Sequence, residues 1–211
     1  MLIPKTALAI TAATSTDEMR YSLNAVQLTR TAPTTCQAAA TNGTALITCT
    51  WPDANSSDYP LINGAPAATE KPDFTTLIHR DDLNAAAKTI PKKPYTPILK
   101  NLALNETAAP NSITLTTTDL SRPTVQTVKP VDGTFPDFTK VIPTAEPTFT
   151  IFLSAELVSA TLATCAKILD NPKKSSMLKF EFTDNRSPVK ITGSNSDGLQ
   201  VLAVIMPMRG D

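Results

Sequence analysis

The stretch VLAVIMPMRGD, residues 201–211, decides how the rest of this sequence is interpreted. It begins inside an apolar run, Leu199–Met206, of the length and composition typical of a strand. The run passes into the tetrapeptide Met206-Pro207-Met208-Arg209. Just before it, LKFEFTDNRSPVKIT at residues 178–192 holds two more strand candidates on either side of a polar turn. The C-terminal region is therefore predicted to contain three short strands.

The same order of elements, a helix candidate followed by short strands, repeats about every 70 residues along the chain. Ser154 is a natural N-cap for the third helix, and acidic residues open the second. The predicted helices are Lys5–Ala13, Asp81–Thr89 and Ala155–Leu169. The predicted strands are Met19–Leu28, Gln37–Ala40, Ala45–Trp51, Thr75–His79, Ile98–Asn105, Ser112–Thr118, Pro123–Val131, Thr150–Leu153, Leu178–Thr183, Pro188–Thr192 and Leu199–Met206. A segment rich in proline and asparagine that ends at Pro72 is predicted to be a loop.

Composition narrows the possible functions. The chain has 211 residues, of which 41% are hydrophobic, so it can bury a sizeable core. Its 19 basic and 19 acidic residues cancel, which excludes a surface that is basic throughout, and any contact with DNA must be local. Three cysteines and one histidine lack metal-ligand spacing, so no metal or cofactor is expected.

The N-terminal stretch MLIPKTALAITAATS has a short apolar run interrupted by threonines. This pattern favours an amphipathic first helix over a signal peptide. No stretch approaches the roughly 20 apolar residues of a membrane span. The odd number of cysteines also suits a reducing compartment. We therefore expect a cytoplasmic protein.

Four stretches together resemble the bacterial DNA polymerase sliding clamps (the replicative beta subunit). Clamps typically end in an apolar strand followed by Met-Pro-Met-Arg, as at Met206–Arg209 here. The other three stretches are VDGTFPDFTKVIPT at 131–144, MRYSLNAVQL at 19–28 with 39–47, and PYTPILKNLALN at 94–105 followed by SITLTTTDL at 112–120. The resemblance implies an α+β DNA clamp fold, in which repeated strand-helix-strands units pack helices on antiparallel sheets.

The resemblance also implies a domain organisation. Residues 1–147 resemble the middle clamp domain as two half-units, 1–72 and 73–147. Residues 148–211 resemble the C-terminal half of the last domain. The chain would thus hold three half-units, whereas a full clamp subunit has six. Two departures stand out: Gly210-Asp211 replaces a final leucine, and the Asp-Gly-His-Arg usual in the middle domain is Asn42-Gly43-Thr44-Ala45 here.

By resemblance, a cleft between the middle and last domains accepts a short linear motif from polymerases and repair proteins. Two methionines would give such a cleft an adaptable apolar wall, and a glycine would permit close approach of backbone. The alternative is that these are ordinary core and linker residues. The residues predicted to line the cleft are Leu23, Thr41, Gly43, Leu46, Pro136, Val141, Val204, Met206, Pro207 and Met208.

Clamp helices also present basic side chains to DNA phosphates without reading bases. The alternative is that the corresponding residues here are ordinary solvated surface groups. The predicted DNA-facing residues are Arg20, Tyr21, Arg80, Lys88, Lys92, Lys93, Lys100, Lys167, Lys173 and Lys174.

Catalysis is not expected. The acid pairs Asp17-Glu18 and Asp81-Asp82 are adjacent in sequence, so on a helix their side chains diverge. His79 has no serine or cysteine partner in a recognisable motif. The leading hypothesis is a clamp-like replication or repair accessory protein that oligomerises, contacts double-stranded DNA and binds peptide motifs. The alternative is a non-encircling, clamp-like peptide-binding module that acts as a regulator or decoy of clamp ligands.

The unpaired third half-unit bears on assembly. Its predicted helix would leave an apolar face partly uncovered, formed by Leu157, Leu162, Cys165 and Ile168. Apolar faces of this size usually find a partner. We expect a homo-oligomer, with a two-fold dimer favoured over a tetramer.

Overall fold

The computed structural model describes residues 1–31, 35–53, 59–60, 74–107, 109, 111–169 and 176–209. The chain forms two compact units, Met1–Ile142 and Pro143–Asp211, whereas the sequence-based division lies between residues 147 and 148. Most of the predicted loop that ends at Pro72 lies outside the described residues. In the described part of the chain, no helix has the length and apolar character needed to cross a membrane.

The first unit is built from eight described strands and one α-helix. The helix α1 spans Arg80–Thr89. The strands are β1 (Leu2–Pro4), β2 (Ala25–Thr31), β3 (Thr35–Thr41), β4 (Leu46–Pro52), β5 (Phe74–His79), β6 (Asn101–Glu106), β7 (Ile113–Thr118) and β8 (Pro123–Val128). Segments of 3-10 helix occur at Ala7–Ala13, Tyr21–Asn24, Pro97–Lys100 and Phe138–Val141.

The two halves of this unit exchange their opening strands. The sheet orders are β4-β3-β2-β5 and β1-β6-β7-β8, and every pairing is antiparallel. Thus β1, which opens the first half, joins the sheet of the second half, and β5, which opens the second half, joins the sheet of the first. Backbone hydrogen bonds of the ladders therefore tie the two halves together.

One core lies between these sheets and the helical segments. Leu83 and Ala86 point from α1 into the core, where they meet Ile78 of β5 and Leu8 of the first 3-10 helix. The ring nitrogen Nδ1 of His79 accepts a 3.3 Å hydrogen bond from the Asp81 backbone and so caps α1. The predicted α+β architecture, with helices on antiparallel sheets, is confirmed.

The first predicted helix, Lys5–Ala13, is wrong in type and length, because Ala7–Ala13 is a 3-10 helix. Threonine explains the difference. The hydroxyl of Thr11 donates to the Leu8 carbonyl at 2.9 Å, and that of Thr14 donates to the Thr11 carbonyl at 2.8 Å. Such local bonds, together with a β-branched side chain, compete with the regular α-helical ladder. The strand β1 just before it was not predicted at all.

Two predicted strands begin too early. The predicted strand Met19–Leu28 starts only at Ala25, after the 3-10 turn Tyr21–Asn24. Likewise, Ile98–Asn105 starts at Asn101, because Pro97 opens a 3-10 turn. A proline is well suited to the first helical position, where its missing N–H is not needed. Both turns therefore lead the chain into the first strand that follows a helix.

The second unit is a single helix on a three-stranded antiparallel sheet. It comprises α2 (Ala155–Leu169), β9 (Lys179–Glu181), β10 (Val189–Ser194) and β11 (Gln200–Ile205), in the sheet order β11-β10-β9. Ser154 accepts a 3.2 Å hydrogen bond from the Leu157 backbone N–H, which confirms the predicted N-cap. The core of the unit is formed by Val189, Ile191 and Ile205 with Ile151, Leu153, Val158, Leu162 and Leu178.

Two expectations for this unit are wrong. The segment Thr150–Leu153 forms only an isolated bridge, from Phe152 to Met208, and no strand among the described residues. Cys165, expected on an uncovered face, is 2% exposed, and Leu162 packs on the unit's own core. The α2 stripe that covers the sheet is Val158, Leu162, Cys165 and Leu169, the i, i+4, i+7, i+11 spacing of one helix face. Only Leu157 and Ile168 of the expected face are exposed, at 47% and 44%.

Candidate peptide-binding and DNA-facing surfaces

The connection between β3 and β4 brings three of the predicted peptide-site residues together, namely Thr41, Gly43 and Leu46. Thr41 lies opposite Leu46 in the β3–β4 ladder. Its hydroxyl donates to the Ala45 carbonyl at 2.6 Å and accepts from the Gly43 N–H at 3.1 Å. The Asn42 side-chain oxygen accepts from the backbone N–H groups of Thr44 and Ala45, both at 2.9 Å. This turn therefore has a defined shape, set by its own side chains.

Gly43 is required in this turn for two reasons. Its φ of +93° is a conformation that residues with a side chain rarely adopt. A Cβ at this position would also lie 3.0 Å from Nη1 of Arg20 and 3.9 Å from Cδ1 of Leu23. The half-buried Leu23 and the exposed turn thus share one patch of the first unit. Arg20, predicted to face DNA, lies at the border of that patch.

The segment that follows β8 packs through its aromatic rings. Phe135 and Phe138 meet edge to face, with ring centroids 6.2 Å apart, in a cluster that includes Ala25, Ala39 and Leu77. A Cβ on Gly133 would lie 3.6 Å from Cβ of Ser22, so this segment passes beside the turn that carries Leu23.

The two predicted site residues in this segment, Pro136 and Val141, are exposed, Val141 at 69%. They are therefore available to a ligand.

The remaining predicted residues line the end of the second unit. In β11, Ala203 and Ile205 face the core, whereas Leu202 and Val204 are 65% and 54% exposed. Met206 and Met208 follow at 61% and 56% exposure, with Pro207 half-buried between them. A cavity of about 710 Å³ lies beside this tail and is lined by Thr150, Phe152, Asn185, Arg186, Pro207, Met208 and Arg209. Of these, only Pro207 and Met208 were predicted.

Among the predicted DNA-facing residues of the first unit, the arginines are already engaged. Arg20 pairs with Asp17 at 3.4 Å on the surface, beside Tyr21, which is 72% exposed. Arg80 donates to the Ser15 carbonyl at 2.9 Å, and its Nε lies 3.5 Å from an Asp81 carboxylate oxygen. Arg80 therefore anchors the start of α1 to the loop that follows the first 3-10 helix.

The predicted DNA-facing lysines are more accessible to solvent than these arginines. Lys88, Lys92, Lys93 and Lys100 are all exposed, and the first three lie at the C-terminal end of α1. A ten-residue helix is about 15 Å long, so these lysines are well separated from Arg80 at its start. Lys167 is exposed in the last turn of α2. Lys173 and Lys174 lie outside the described residues.

The two described cysteines of the first unit, Cys36 and Cys49, are held as neutral thiols. Burial, reinforced by the nearby Asp53 carboxylate, raises the pKa of the Cys36 thiol to about 12. Burial likewise raises the pKa of the Cys49 thiol. A thiol must ionise to attack, so both are inert near neutral pH. Within the described ranges, no three His, Cys, Asp or Glu side chains are grouped to hold a metal ion.

Comparison with solved structures decides the fold. The whole chain superposes on half of the DNA polymerase sliding clamp from Pseudomonas aeruginosa, with a TM-score of 0.71 and 18% identity, covering 100% of this chain and 52% of that chain. The beta subunit from Streptococcus pyogenes gives a TM-score of 0.72 at 14% identity, over 99% and 50% of the two chains. The Bacillus subtilis sliding clamp gives 0.72 at 15% identity, over 99% and 49%.

This chain has the sliding-clamp fold. It spans about half the length of the clamps that it matches. No protein-family model matches the sequence, and no curated protein matches it either. The likeness to the clamps therefore rests on the fold and on the short stretches already quoted.

Within the sliding-clamp fold, the predicted peptide-site residues form two groups, one in each unit. One feature of the second group could have been found from sequence. Leu202 and Val204 alternate with Ala203 and Ile205, which indicates a strand with one apolar face directed outward. Phe152 carried no such signal, because its position beside Met208 depends on a single backbone hydrogen bond of 2.8 Å.

Proposed function

We propose that this chain is a non-catalytic, sliding-clamp-like accessory protein of DNA replication or repair. It would oligomerise, contact double-stranded DNA without sequence preference, and bind short peptide motifs of polymerases and related partners. The similar solved structures are described as sliding clamps and as the beta chain of DNA polymerase III. The observation that carries the proposal is the combination of that fold with an exposed apolar tail at Val204, Met206 and Met208.

The tail has the physical character of a peptide-binding surface. Apolar side chains that are more than half exposed gain free energy when a ligand covers them, and methionine adapts to several ligand shapes. Nearby, Arg186 and Asn185 in the cavity wall can satisfy the polar backbone of a bound peptide. In the first unit, the patch around Leu23 and Gly43 is a separate candidate surface that offers apolar contact and close backbone approach. Thr44 and Ala45 replace bulkier residues, so we expect an altered peptide preference.

The peptide site is tested by the double variant Met206→Ala/Met208→Ala. We expect the affinity for a fluorescein-labelled clamp-binding peptide from a bacterial DNA polymerase to fall about 10–100-fold, because each methionine loses roughly 1 kcal/mol or more of buried contact. Fluorescence anisotropy measures the affinity. Substitution is preferable to truncation, because the Met208 N–H holds Phe152 at 2.8 Å and must stay in place.

Met177→Ala is the matched control, since Met177 is 83% exposed in the same unit but lies outside this tail and cavity. It should leave the peptide affinity within about twofold. Unchanged affinity in the double variant, with a native circular dichroism spectrum, would remove the tail from the site.

DNA contact is tested through its salt dependence. In the triple variant Lys88→Ala/Lys92→Ala/Lys93→Ala, the slope of log Kobs against log salt concentration should become shallower by about 2.7, since each phosphate contact contributes roughly 0.9. Binding to a short duplex is measured by anisotropy over a range of salt concentrations. A sequence-dependent affinity would contradict the proposal, because lysine contacts to phosphate carry no base information.

The control for this variant removes the same charge elsewhere. Lys129, Lys140 and Lys190 are exposed and lie away from the end of α1, and the last two pair with Asp137 and Glu181. Their replacement by alanine should change the slope by less than about 0.5. An equal effect of the two triple variants would mean that only net charge matters and that the end of α1 is not a DNA surface.

A second function is favoured by the balanced charge of the chain. The chain covers 52% of the Pseudomonas clamp and has a formal net charge of zero. A peptide-binding module that does not encircle DNA would keep the tail and need no basic hole. Circular and linear duplexes discriminate between the two functions. A clamp that surrounds DNA is retained on a closed circle and slides off a linear end, whereas a module shows no such difference.

A further inference from the structure

One backbone contact is the same in both units. After the last strand of the first unit, the Val131 N–H donates to the Leu77 carbonyl at 2.8 Å. After the last strand of the second unit, the Met208 N–H donates to the Phe152 carbonyl, also at 2.8 Å. Leu77 lies three residues before the start of α1, and Phe152 lies three residues before the start of α2. Residues 149–153 are thus the structural equivalent of β5.

The other edge of this segment is open. The edge of β5 that faces away from Val131 pairs with β2 of the other half. Among the described residues, residues 149–153 make no such pairing and are bridged only at Phe152. Successive residues of an extended chain direct their backbone groups to opposite sides. Ile151 and Leu153 therefore direct their N–H and C=O groups toward the open edge.

The strand β9 provides a second open edge. The first strands after the helices of the first unit, β2 and β6, are each paired on both sides, with β3 and β5 and with β7 and β1. In the described part of the second unit, β9 pairs only with β10. The side on which β2 and β6 receive an exchanged strand is the side on which β9 has none. A free edge of this kind is a template for another strand.

We propose that two copies of this chain exchange residues 149–153, so that the segment of each copy pairs antiparallel with β9 of the other across a two-fold axis. The second copy is the occupant because each chain carries one unpaired strand and one unpaired edge. These are the two parts that the first unit joins internally. A two-fold contact satisfies both edges at once and leaves neither open.

The register of the exchanged pairing follows from the first unit. The hairpins β7–β8 and β10–β11 have six ladder pairs each and start at Ile113↔Val128 and Val189↔Ile205. Leu104 lies opposite the third residue of β7, and Phe180 lies opposite the third residue of β10. Phe180 is therefore the equivalent of Leu104.

In the first unit, the Leu104 N–H donates to the Met1 carbonyl at 2.9 Å, and the Met1 nitrogen donates to the Leu104 carbonyl at 3.1 Å. In the other sheet, Leu28 corresponds to Leu104, because each lies opposite the residue three positions before the end of its neighbouring strand, β3 or β7. Leu28 also lies opposite Thr76, four residues before α1 begins. Four residues before α2 is Ile151. Ile151 of one copy should thus lie opposite the partner's Phe180.

The exposure of the aromatic side chains on and beside β9 supports a pairing that covers them. Leu104 is 2% exposed in the completed sheet, whereas its equivalent Phe180 is 41% exposed. Phe182, at 45%, stacks on Phe180 with ring centroids 6.3 Å apart, and Phe149, at 46%, lies 6.0 Å from Phe182 in a tilted arrangement. With about 200 Å² for a whole ring, six such rings in a dimer would bury on the order of 500 Å². The paired backbone and flanking side chains supply the rest of a stable interface.

No unpaired charge enters the contact. Residues 148–153 carry no charged side chain. Lys179 and Glu181 of β9 pair with each other at 2.7 Å, and Glu181 also pairs with Lys190 of β10 at 3.0 Å. The ionic groups beside the edge are thus satisfied within each copy, and pairing need not leave a charge buried alone.

The pairing is tested by cross-linking the full chain. Directly opposed residues of a hydrogen-bonded pair have Cα atoms about 5.5 Å apart, within the range that a disulfide spans. The variant Ile151→Cys/Phe180→Cys, oxidised with copper-phenanthroline, should run as a dimer on a non-reducing gel and as a monomer after reduction. The variants with one new cysteine should give far less dimer. Equal dimer in the single and double variants would overturn the register.

Two single proline substitutions test whether the open edge of residues 149–153 forms the contact. Ile151→Pro removes an N–H that faces the open edge, whereas Thr150→Pro removes one that faces the other way. Light scattering should give twice the chain mass for the unmodified protein and for Thr150→Pro. For Ile151→Pro, the dimer dissociation constant should rise about tenfold or more. A monomeric unmodified protein, or an Ile151→Pro dimer of unchanged affinity, would overturn the exchange.

This inference rests on the oligomerisation in the proposed function. Mass and cross-links are measured without DNA or peptide, so failure of the strand exchange and failure of the peptide and DNA assays remain distinguishable.

Discussion

Replacing Arg30 by methionine should destabilise the protein by about 3–5 kcal/mol, the usual cost of leaving one partner of a buried ion pair alone. Arg30 Nε lies 2.7 Å from Asp53 Oδ2, and the Asp53 side chain is only 4% exposed. The same carboxylate accepts from the Leu2 N–H at 3.4 Å. The ion pair therefore holds the end of β4 against β1, beside the core.

Urea denaturation followed by fluorescence measures this effect directly. Trp51 is the only tryptophan in the chain, and its Nε1 donates to the Leu2 carbonyl at 2.8 Å, two residues from Asp53. In the double variant Arg30→Met/Asp53→Asn, only part of the loss should be recovered: no carboxylate is left buried without its guanidinium, but the buried Met1 ammonium loses the Asp53 charge beside it. Loss that persists in full in the double variant would assign it to packing of the arginine stem instead.

The matched control is Arg20→Met, which removes the same side chain from an exposed pair. Arg20 and Asp17 are 3.4 Å apart, and their side chains are 56% and 51% exposed. Exposed pairs contribute little, so this change should alter stability by no more than about 0.5–1 kcal/mol. Similar effects of the two substitutions would show that the burial of Asp53 is not what matters.

Replacing Ile191 by alanine should destabilise the second unit by about 2–5 kcal/mol, from lost burial and the cavity left behind. Ile191 is fully buried in the middle strand of a three-stranded sheet, between Val189 and Ile205 in the core. Ile191→Val removes one methylene and should cost about 0.5–1.5 kcal/mol. Hydrogen exchange of peptides that cover β10 and β11, measured by mass spectrometry, checks both values.

Thr192→Ala is the control for this series, because Thr192 is the next residue in β10 but is only half-buried. It should change exchange protection little. If two copies stabilise each other through this unit, protection of β10 should also rise with protein concentration. A fully concentration-independent loss in Ile191→Ala would be expected of a monomer.

The helices differ in how far the sequence could predict them. In α2, a capping serine and a repeated apolar spacing indicated both the start and the end of the helix. The first helix failed because threonine hydroxyls bonded to nearby carbonyls and gave a 3-10 helix. Periodicity reports which side of a segment is buried, but it does not distinguish two helix types of similar pitch.

In the candidate site, too, some features could be predicted from the sequence and others depend on the tertiary structure. The exposed methionine tail followed from a short tetrapeptide and an alternating strand. The contact between Phe152 and Met208, and the nearness of Arg20 to Gly43, join residues far apart in sequence. No local pattern encodes such contacts, because they arise only when separate elements pack.

The sequence by itself could indicate the order of a helix followed by short strands and the outward face of β11, since both depend on local periodicity and residue type. Only the tertiary structure decided which strands are exchanged. The pairings of β1 with β6 and of β5 with β2 link residues that are distant along the chain. Sequence periodicity specifies the faces of a strand but not its neighbours. For that reason, the open edges of β9 and of residues 149–153 became evident only beside the completed sheets of the first unit.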